Sequence, residues 1–353
     1  MYEVDRVFDS IRAIINNVNP ELDITNLLYQ HHCDYLLSKV KVSSDLEKRI
    51  MIENKVNVIK LDLRYKICEK VFQELIANEI PFAVIKGAVL SKSTYNNAYI
   101  RKSNDVDLLV QRKSIDQVKK MFFEEGFIQG YVTPEGIQDY TRNELLFYTL
   151  NTHQVAPFVK KLEKPINMYV KVDLNFNILW GEQKNKADMN YVLKYSENSE
   201  ICGVTIKKLM KEMEFISLCL HHYKDMNSIY LLAIKGMKLS WFEDIYFYIK
   251  NQSLNEDLLK YICEKLNVTS YIYYCIYYTN CIFNDIELQN LLEKLEKNAS
   301  KSLLTSFGLG DDEIYHWKVD FGERLLNLDI GKYFKTILSK DEYNKILLNG
   351  IFL

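Results

Sequence analysis

The octapeptide SNDVDLLV (residues 103–110) constrains this chain more than any other stretch. Val106, Leu108, Leu109 and Val110 make it read as a short apolar strand, the kind a sheet buries. Yet it carries Asp105 and Asp107. Residues i and i+2 of a strand point to one face, so the two carboxylates stand side by side. Unpaired, they repel each other, and burial adds to the cost. A divalent cation removes both penalties. Hard oxygen donors suit Mg²⁺, or Mn²⁺ in its place, and Mg²⁺ also takes substrate phosphates. The stretch therefore reads as half of a metal–phosphate site. The plainer alternative is two acids at the solvent edge of a strand.

Three further features bear on that choice. IKGAVL (85–90) places Gly87 after a strand and before a helix, with Ala88 next to it. A glycine there lets the backbone approach a phosphate, and the helix N-terminus offers N–H groups and a favourable dipole. Asp173 lies between Val172 and Leu174 on an alternating strand, so it is a candidate third carboxylate that shares a metal or takes a proton. Its alternative is an exposed strand residue paired with Lys171. Arg101 and Lys86 either neutralise the acids or grip phosphates.

The rest of the chain gives these features a frame. Residues 1–78 read as helical, with an apolar stripe Ile52, Val56, Ile59, Leu63, Ile67, Val71 and Leu75 that ends at Asn78 and Pro81. Residues 79–205 read as a mixed α/β core. FAVIKG (82–87), DVDLLV, FIQGYV (127–132), LLFYTL (145–150) and NMYVKVDLNFNILW (167–180) are its strand candidates. In the last of these, Tyr169, Lys171, Asp173 and Asn175 share one face and Val170, Val172, Leu174 and Phe176 the other. Ser114 with Gln117 has the pattern of a capping box, and Gly126 closes the helix that follows. Residues 206–353 return to helical spacing. The expected fold is α+β, a mixed β-sheet flanked by helices, with helical parts at both ends.

Composition excludes little but directs the reading. A formal net charge of -2 provides no global basic field for nucleic acid. The first residues lack a basic region followed by an apolar core, and the most apolar late stretch, YIYYCIYYTNCIF (271–283), is short for a membrane span. The expectation is a cytoplasmic, bacterial protein without a membrane role. Its seven scattered cysteines, with no C-x-x-C pair, read as reduced thiols.

In this order, Gly87, Asp105, Asp107 and Asp173 resemble the nucleotidyltransferase superfamily related to DNA polymerase β. Its pattern is strand, glycine turn, helix, D-x-[DE] strand and a third acid on a later strand. A bacterial branch called the uncharacterised nucleotidyltransferase family is more similar still. IKG (85–87) and RKSNDVDLLV (101–110) match its first blocks. VDLNFNILW (172–180), LCLHHY (218–223) and KLSWFEDI (238–245) correspond to its later ones. Two positions depart from the pattern. Ala88 stands where many members have Ser or Gly, and Asn175 where the branch has His.

The resemblance implies Mg²⁺-dependent transfer of a nucleoside monophosphate, AMP from ATP, with release of pyrophosphate. The acceptor would be a hydroxyl or amine of a small molecule, peptide or protein. Asp105, Asp107 and Asp173 would hold metal and carry catalysis. Lys86, Gly87, Ala88 and Arg101 would bind the nucleotide, and His221, Lys238 and Asp244 are candidates for an acceptor pocket. Two alternatives stay open: a toxin of this fold that modifies RNA or protein, and a non-catalytic nucleotide-binding scaffold. Elsewhere, GLGDDEIYHW (308–317) reads as a loop into a helix with an acidic first turn. KKLEKP (160–165) reads as a solvated basic turn. His221 and His222 are adjacent and make a poor metal pair on a helix.

Overall fold

A computed structural model of the protein describes residues 2–181, 183, 186–229, 231–232, 236–309, 314–327, 333–335, 338–341 and 343–344. The acids at 311–313 lie outside the described residues. The chain divides into two compact units, one of Ser44–Ser217 and one of Met1–Ser43 with Leu218–Leu353. Residues 1–78, expected as one helical region, are thus shared between the units. Among the described residues no helix is long and apolar enough to cross a membrane.

The chain begins with helices α1 (Tyr2–Ile15), α2 (Thr25–Gln30) and α3 (Asp34–Leu37). The first unit proper then starts with the long helix α4 (Ser44–Ala77). It is followed by β1 (Phe82–Ile85), α5 (Gly87–Tyr95), β2 (Asp105–Val110), α6 (Ile115–Glu124), β3 (Ile128–Thr133) and β4 (Gly136–Asp139). Next come α7 (Arg142–Asn151), β5 (Phe158–Leu162), β6 (Met168–Asn175), α8 (Met189–Leu193), β7 (Ser196–Ile201) and β8 (Val204–Leu209). The strands form one mixed sheet in the order β4-β3-β5-β6-β2-β1-β8-β7. At its centre β2 runs parallel to β6, while β1 is antiparallel to β2 and parallel to β8.

The period-2 rule divides the two central strands into two faces. Val106, Leu108 and Val110 of β2 join Val170, Val172 and Leu174 of β6 in the core. Leu61, Tyr65, Cys68, Phe72 and Leu75 of α4 cover them. Truncating a residue such as Leu108, which is fully buried, to alanine would cost about 2–5 kcal/mol. The other face of the same strands carries Asp105, Asp107, Lys171, Asp173 and Asn175. One strand thus anchors the fold with its even-numbered residues and presents acids with its odd-numbered ones.

Four local expectations are corrected. The buried stripe of α4 is Leu61, Arg64, Tyr65, Cys68, Val71, Phe72 and Leu75, whereas Ile52, Val56 and Ile59 are exposed. The helix carries two apolar rows, and the sheet takes the one containing the aromatics. LLFYTL is not a strand but most of α7. Thr141 and Glu144 close a full capping box ahead of it, which stabilises a helix start that apolar spacing alone does not reveal. Ser114 makes no side-chain cap, because the 3₁₀ turn Arg112–Ser114 already holds it in helical backbone geometry. Finally, β7 and β8 form a hairpin turned by Cys202 and Gly203, both with positive φ, which carries the sheet past residue 205 to Leu209.

The second unit contains α1–α3 and, after α9 (Lys211–Asn227), the helices α10 (Leu239–Asn251), α11 (Glu256–Lys265), α12 (Thr269–Phe283) and α13 (Ile286–Glu296). YIYYCIYYTNCIF is the body of α12, a packed helix whose Ile272, Tyr274, Cys275, Ile276 and Ile282 are buried.

Candidate active site

The parallel pairing of β2 with β6 sets Asp107 opposite Asp173 and Asp105 opposite Lys171. Adjacent strands lie about 4.8 Å apart, so the three acids and the lysine occupy one small patch. Asp107 and Asp173 are each 8% exposed. Each carboxylate is answered by an ammonium: Lys86 Nζ donates to Asp107 Oδ1 at 2.8 Å, and Lys171 Nζ to Asp173 Oδ2 at 3.2 Å. Asn175 Nδ2 also donates to Asp107 Oδ1 at 3.2 Å. Asp173 Oδ1 is buried with no hydrogen-bond partner.

Lys86 reaches Asp107 through an unusual backbone. Its φ of 59° and ψ of -155° lie in a region that is close to glycine-only, at a cost of about 1–3 kcal/mol. Gly87 follows with φ +45°, and a Cβ there would fall 3.1 Å from Ser103 Oγ. The two residues turn the chain sharply from β1 into α5, whose N-terminus no side chain caps. The backbone N–H groups of that first turn, Gly87 and Ala88 included, therefore have no side-chain cap.

Ser103 ties the patch together. Its hydroxyl donates to the Asp105 carbonyl at 2.9 Å and to Asp105 Oδ1 at 3.3 Å, and its carbonyl accepts from Arg64 Nη1 at 2.8 Å. Arg64, buried on α4, is the guanidinium in Asp105's electrostatic surroundings, alongside Lys171 and Lys86. Arg101 lies on the segment between α5 and β2, where its backbone N–H donates to Ser91 Oγ at 3.0 Å.

These surroundings shift the titrations. Burial, then the facing Asp107, pushes the Asp105 carboxyl up against the pull of Lys171, Lys86 and Arg64. Burial pushes Asp173 up to about 6, and Lys171 offsets this only in part, because Asp107 and Asp105 add to the rise. Burial by itself would lower Lys86 and Lys171. The carboxylates beside them outweigh it, and both ammoniums sit above the ordinary lysine range.

The donor set suits a divalent cation: three carboxylates on adjacent parallel strands, hard oxygens throughout, one of them buried without a partner. Among the described residues, however, no three acidic, His or Cys side chains converge closely enough to hold a metal as they stand. Lys86 and Lys171 occupy the carboxylates instead.

The expected acceptor residues belong to the other unit. Asp244 is buried and its Oδ2 lies 3.2 Å from Nε2 of His222, which stacks on Trp241. His221 faces Asp225 one helical turn on, at 3.6 Å. Lys238 donates to the Gln30 carbonyl at 3.4 Å, and burial lowers its pKa. The structure brings Lys86, Gly87, Asp105, Asp107 and Asp173 together. Arg64 and Ser103 join them without having been expected. The only hint of Arg64 in the sequence is an arginine on the buried row of an amphipathic helix.

The profile of a family described as "Uncharacterised nucleotidyltransferase" matches residues 21–284. Among solved structures, an antigenic nucleotidyltransferase-like protein from Paracoccidioides brasiliensis is similar at 15% identity. That match covers 59% of this chain and 91% of the other, with a TM-score of 0.33. No curated protein matches.

Proposed function

Since the chain belongs to the uncharacterised nucleotidyltransferase family, and is therefore a transferase that acts on a nucleotide, we propose that it moves a nucleoside monophosphate, AMP from ATP, to a hydroxyl or amine acceptor, with Mg²⁺ bound at Asp105, Asp107 and Asp173. The observation that carries this reading is the register of Asp107 against Asp173, with a buried Asp173 oxygen left without a partner.

Mg²⁺, when bound, would supply charge neutralisation between the acids and the phosphates. The chain's own residues do the rest. The uncapped start of α5, at Gly87 and Ala88, receives phosphate oxygens on backbone N–H groups. Lys86 and Lys171 leave the carboxylates and turn their charge toward the β- and γ-phosphates, with Arg101 a further candidate for that role. Asp173, through its partnerless oxygen, takes the proton of the acceptor O–H or N–H. The acceptor atom bonds to the α-phosphorus, the bond to the bridging oxygen breaks, and pyrophosphate leaves.

The formal charge of -2 favours a small molecule, peptide or protein as acceptor over nucleic acid. The test is transfer of label from α-labelled nucleotides in a complete cell extract, with Mg²⁺ added or chelated. Labelling of one species by the wild type, lost with chelator and with Asp105→Asn, supports the reading. Labelling of RNA would move the assignment to a toxin-like activity. Nucleotide binding with no labelled species would move it to a scaffold.

A further inference from the structure

A cavity of about 390 Å³ lies at the carboxyl ends of β2 and β6. Gln111 and Asn177 line it, and by spacing they continue the rows that start with Asp105–Asp107 and Asp173–Asn175.

The chemistry of the lining is one-sided. Arg112, Lys113 and Lys186 contribute three cations, and no carboxylate is among the described lining residues. The Arg112 guanidinium lies 4.6 Å over the Phe176 ring, and its Nη2 donates to the Thr149 carbonyl at 3.3 Å. Lys186 Nζ is anchored by the carbonyls of Trp180 and Gly181, each at 2.8 Å. Gln111 is 7% exposed. Its Nε2 donates to Asn190 Oδ1 at 2.7 Å, but its Oε1 is buried with no partner. A native fold seldom leaves a buried carbonyl oxygen unanswered. The wall is closely packed at one point: a Cβ on Gly181 would fall 2.0 Å from the Asn151 carbonyl oxygen, so backbone meets backbone there.

We infer that this cavity binds the anionic part of the acceptor, a carboxylate or phosphate, beside an N–H or O–H that satisfies Gln111 Oε1. The inference rests on the nucleotidyl-transfer reading. Asn175 and Phe176 link the two places, because the Asn175 amide holds Asp107 while the next ring carries Arg112. At about 3.3 Å per residue, Gln111 stands about 13 Å along β2 from Asp107. The acceptor is therefore elongated, with its nucleophile and its anion about 10–13 Å apart.

The test uses the full chain saturated with Mg²⁺ and a non-hydrolysable ATP analogue, titrated calorimetrically with inorganic phosphate and separately with acetate. Arg112→Gln with Lys186→Gln changes two exposed side chains and should leave the fold intact. Gln111→Met keeps the size but removes the oxygen. The inference expects the wild type to bind at least one of the two probes. The double variant should bind about tenfold or more weakly, with its affinity for the nucleotide analogue unchanged within about threefold. Which probe binds tells phosphate from carboxylate. Labelled-nucleotide transfer in extract should fall about tenfold in the double variant, and also in Gln111→Met. Probe binding that is absent from the wild type, or equal in both proteins, overturns the inference, as does equal transfer. If the wild type transfers nothing, the transfer reading fails and the acceptor role with it, while the probe titrations still decide whether the cavity binds anions.

Discussion

Both units of the chain bury carboxylates, but they treat them differently. In the helical unit Asp244 meets the ring of His222 and Glu243 Oε1 accepts the backbone N–H of Leu36 at 2.7 Å. These acids join groups fixed on packed helices. In the sheet unit Asp107 and Asp173 meet lysines on flexible stems, one of which hangs from strained backbone, and Asp173 retains an oxygen with no partner. Removing one member of a closed buried pair is destabilising. The second arrangement leaves a buried carboxylate oxygen unanswered, and on the proposed reading it is the one that takes up a cation and phosphates.

The largest expected contrast comes from breaking each arrangement once. Asp105→Asn should abolish nucleotide transfer and leave melting unchanged or raised, because burial and the neighbouring Asp107 disfavour the Asp105 charge in the folded chain. His222→Leu should do the reverse: it removes a hydrogen-bond partner of buried Asp244, costs about 1–3 kcal/mol of stability, and lowers transfer only as far as it lowers the folded fraction. Melting curves and transfer rates on the two purified variants check both. A stable His222→Leu protein with no transfer would put the helical pair in the chemistry and end the contrast.

Next in size is Lys86→Ala. Loss of one charge-assisted contact should weaken triphosphate binding about ten- to a hundredfold, and monophosphate binding much less. Lys86→Gly sharpens the point. It loses the same ammonium but relieves backbone strain of about 1–3 kcal/mol, so it should melt higher than Lys86→Ala. Equal melting of the two would show that the φ of Lys86 carries no strain.

The smallest effect is a pH dependence. Asp173 titrates at about 6 in the folded chain, and an unfolded aspartate at about 3.9. Its burial cost is therefore absent below about pH 4, grows as pH rises through 6, and is complete above it. Asp173→Asn should raise the melting temperature of the metal-free protein by a few degrees at about pH 7.5, by about half as much at about pH 5 and hardly at all below about pH 4. A gain independent of pH would mean that Asp173 is not ionised against its surroundings.

Local chemistry made much of this legible in the sequence. The apolar run with Asp105 and Asp107, the glycine at 87 and the alternation around Asp173 are short-range patterns, and each lies where it was expected. The family resemblance rests on the same residues. Long-range pairing was hidden. Nothing near Arg64 says that it will meet the carbonyl of Ser103, and nothing near Asn175 says that it will hold Asp107, because strand register decides both. The error over 145–150 was local and avoidable: Thr141 and Glu144 announce a helix, but the aromatic and apolar residues after them fit a strand pattern equally well. The β7–β8 hairpin is hard to read because β7, the edge strand, is mostly polar and β8 offers only a short alternation of Val204 and Ile206.

The central claim is that the open cluster performs chemistry rather than merely holding a nucleotide, and Asp173 tests it most directly. Asp173→Asn keeps the volume of the side chain but removes its charge and basicity, while Asp105 and Asp107 remain to bind. On one preparation, calorimetric titration with Mg²⁺–nucleotide and release of pyrophosphate in the presence of acceptor should part company. Binding should stay within about tenfold of wild type while transfer falls about 10²-fold or more. Transfer by Asp173→Asn at the wild-type rate would contradict the account.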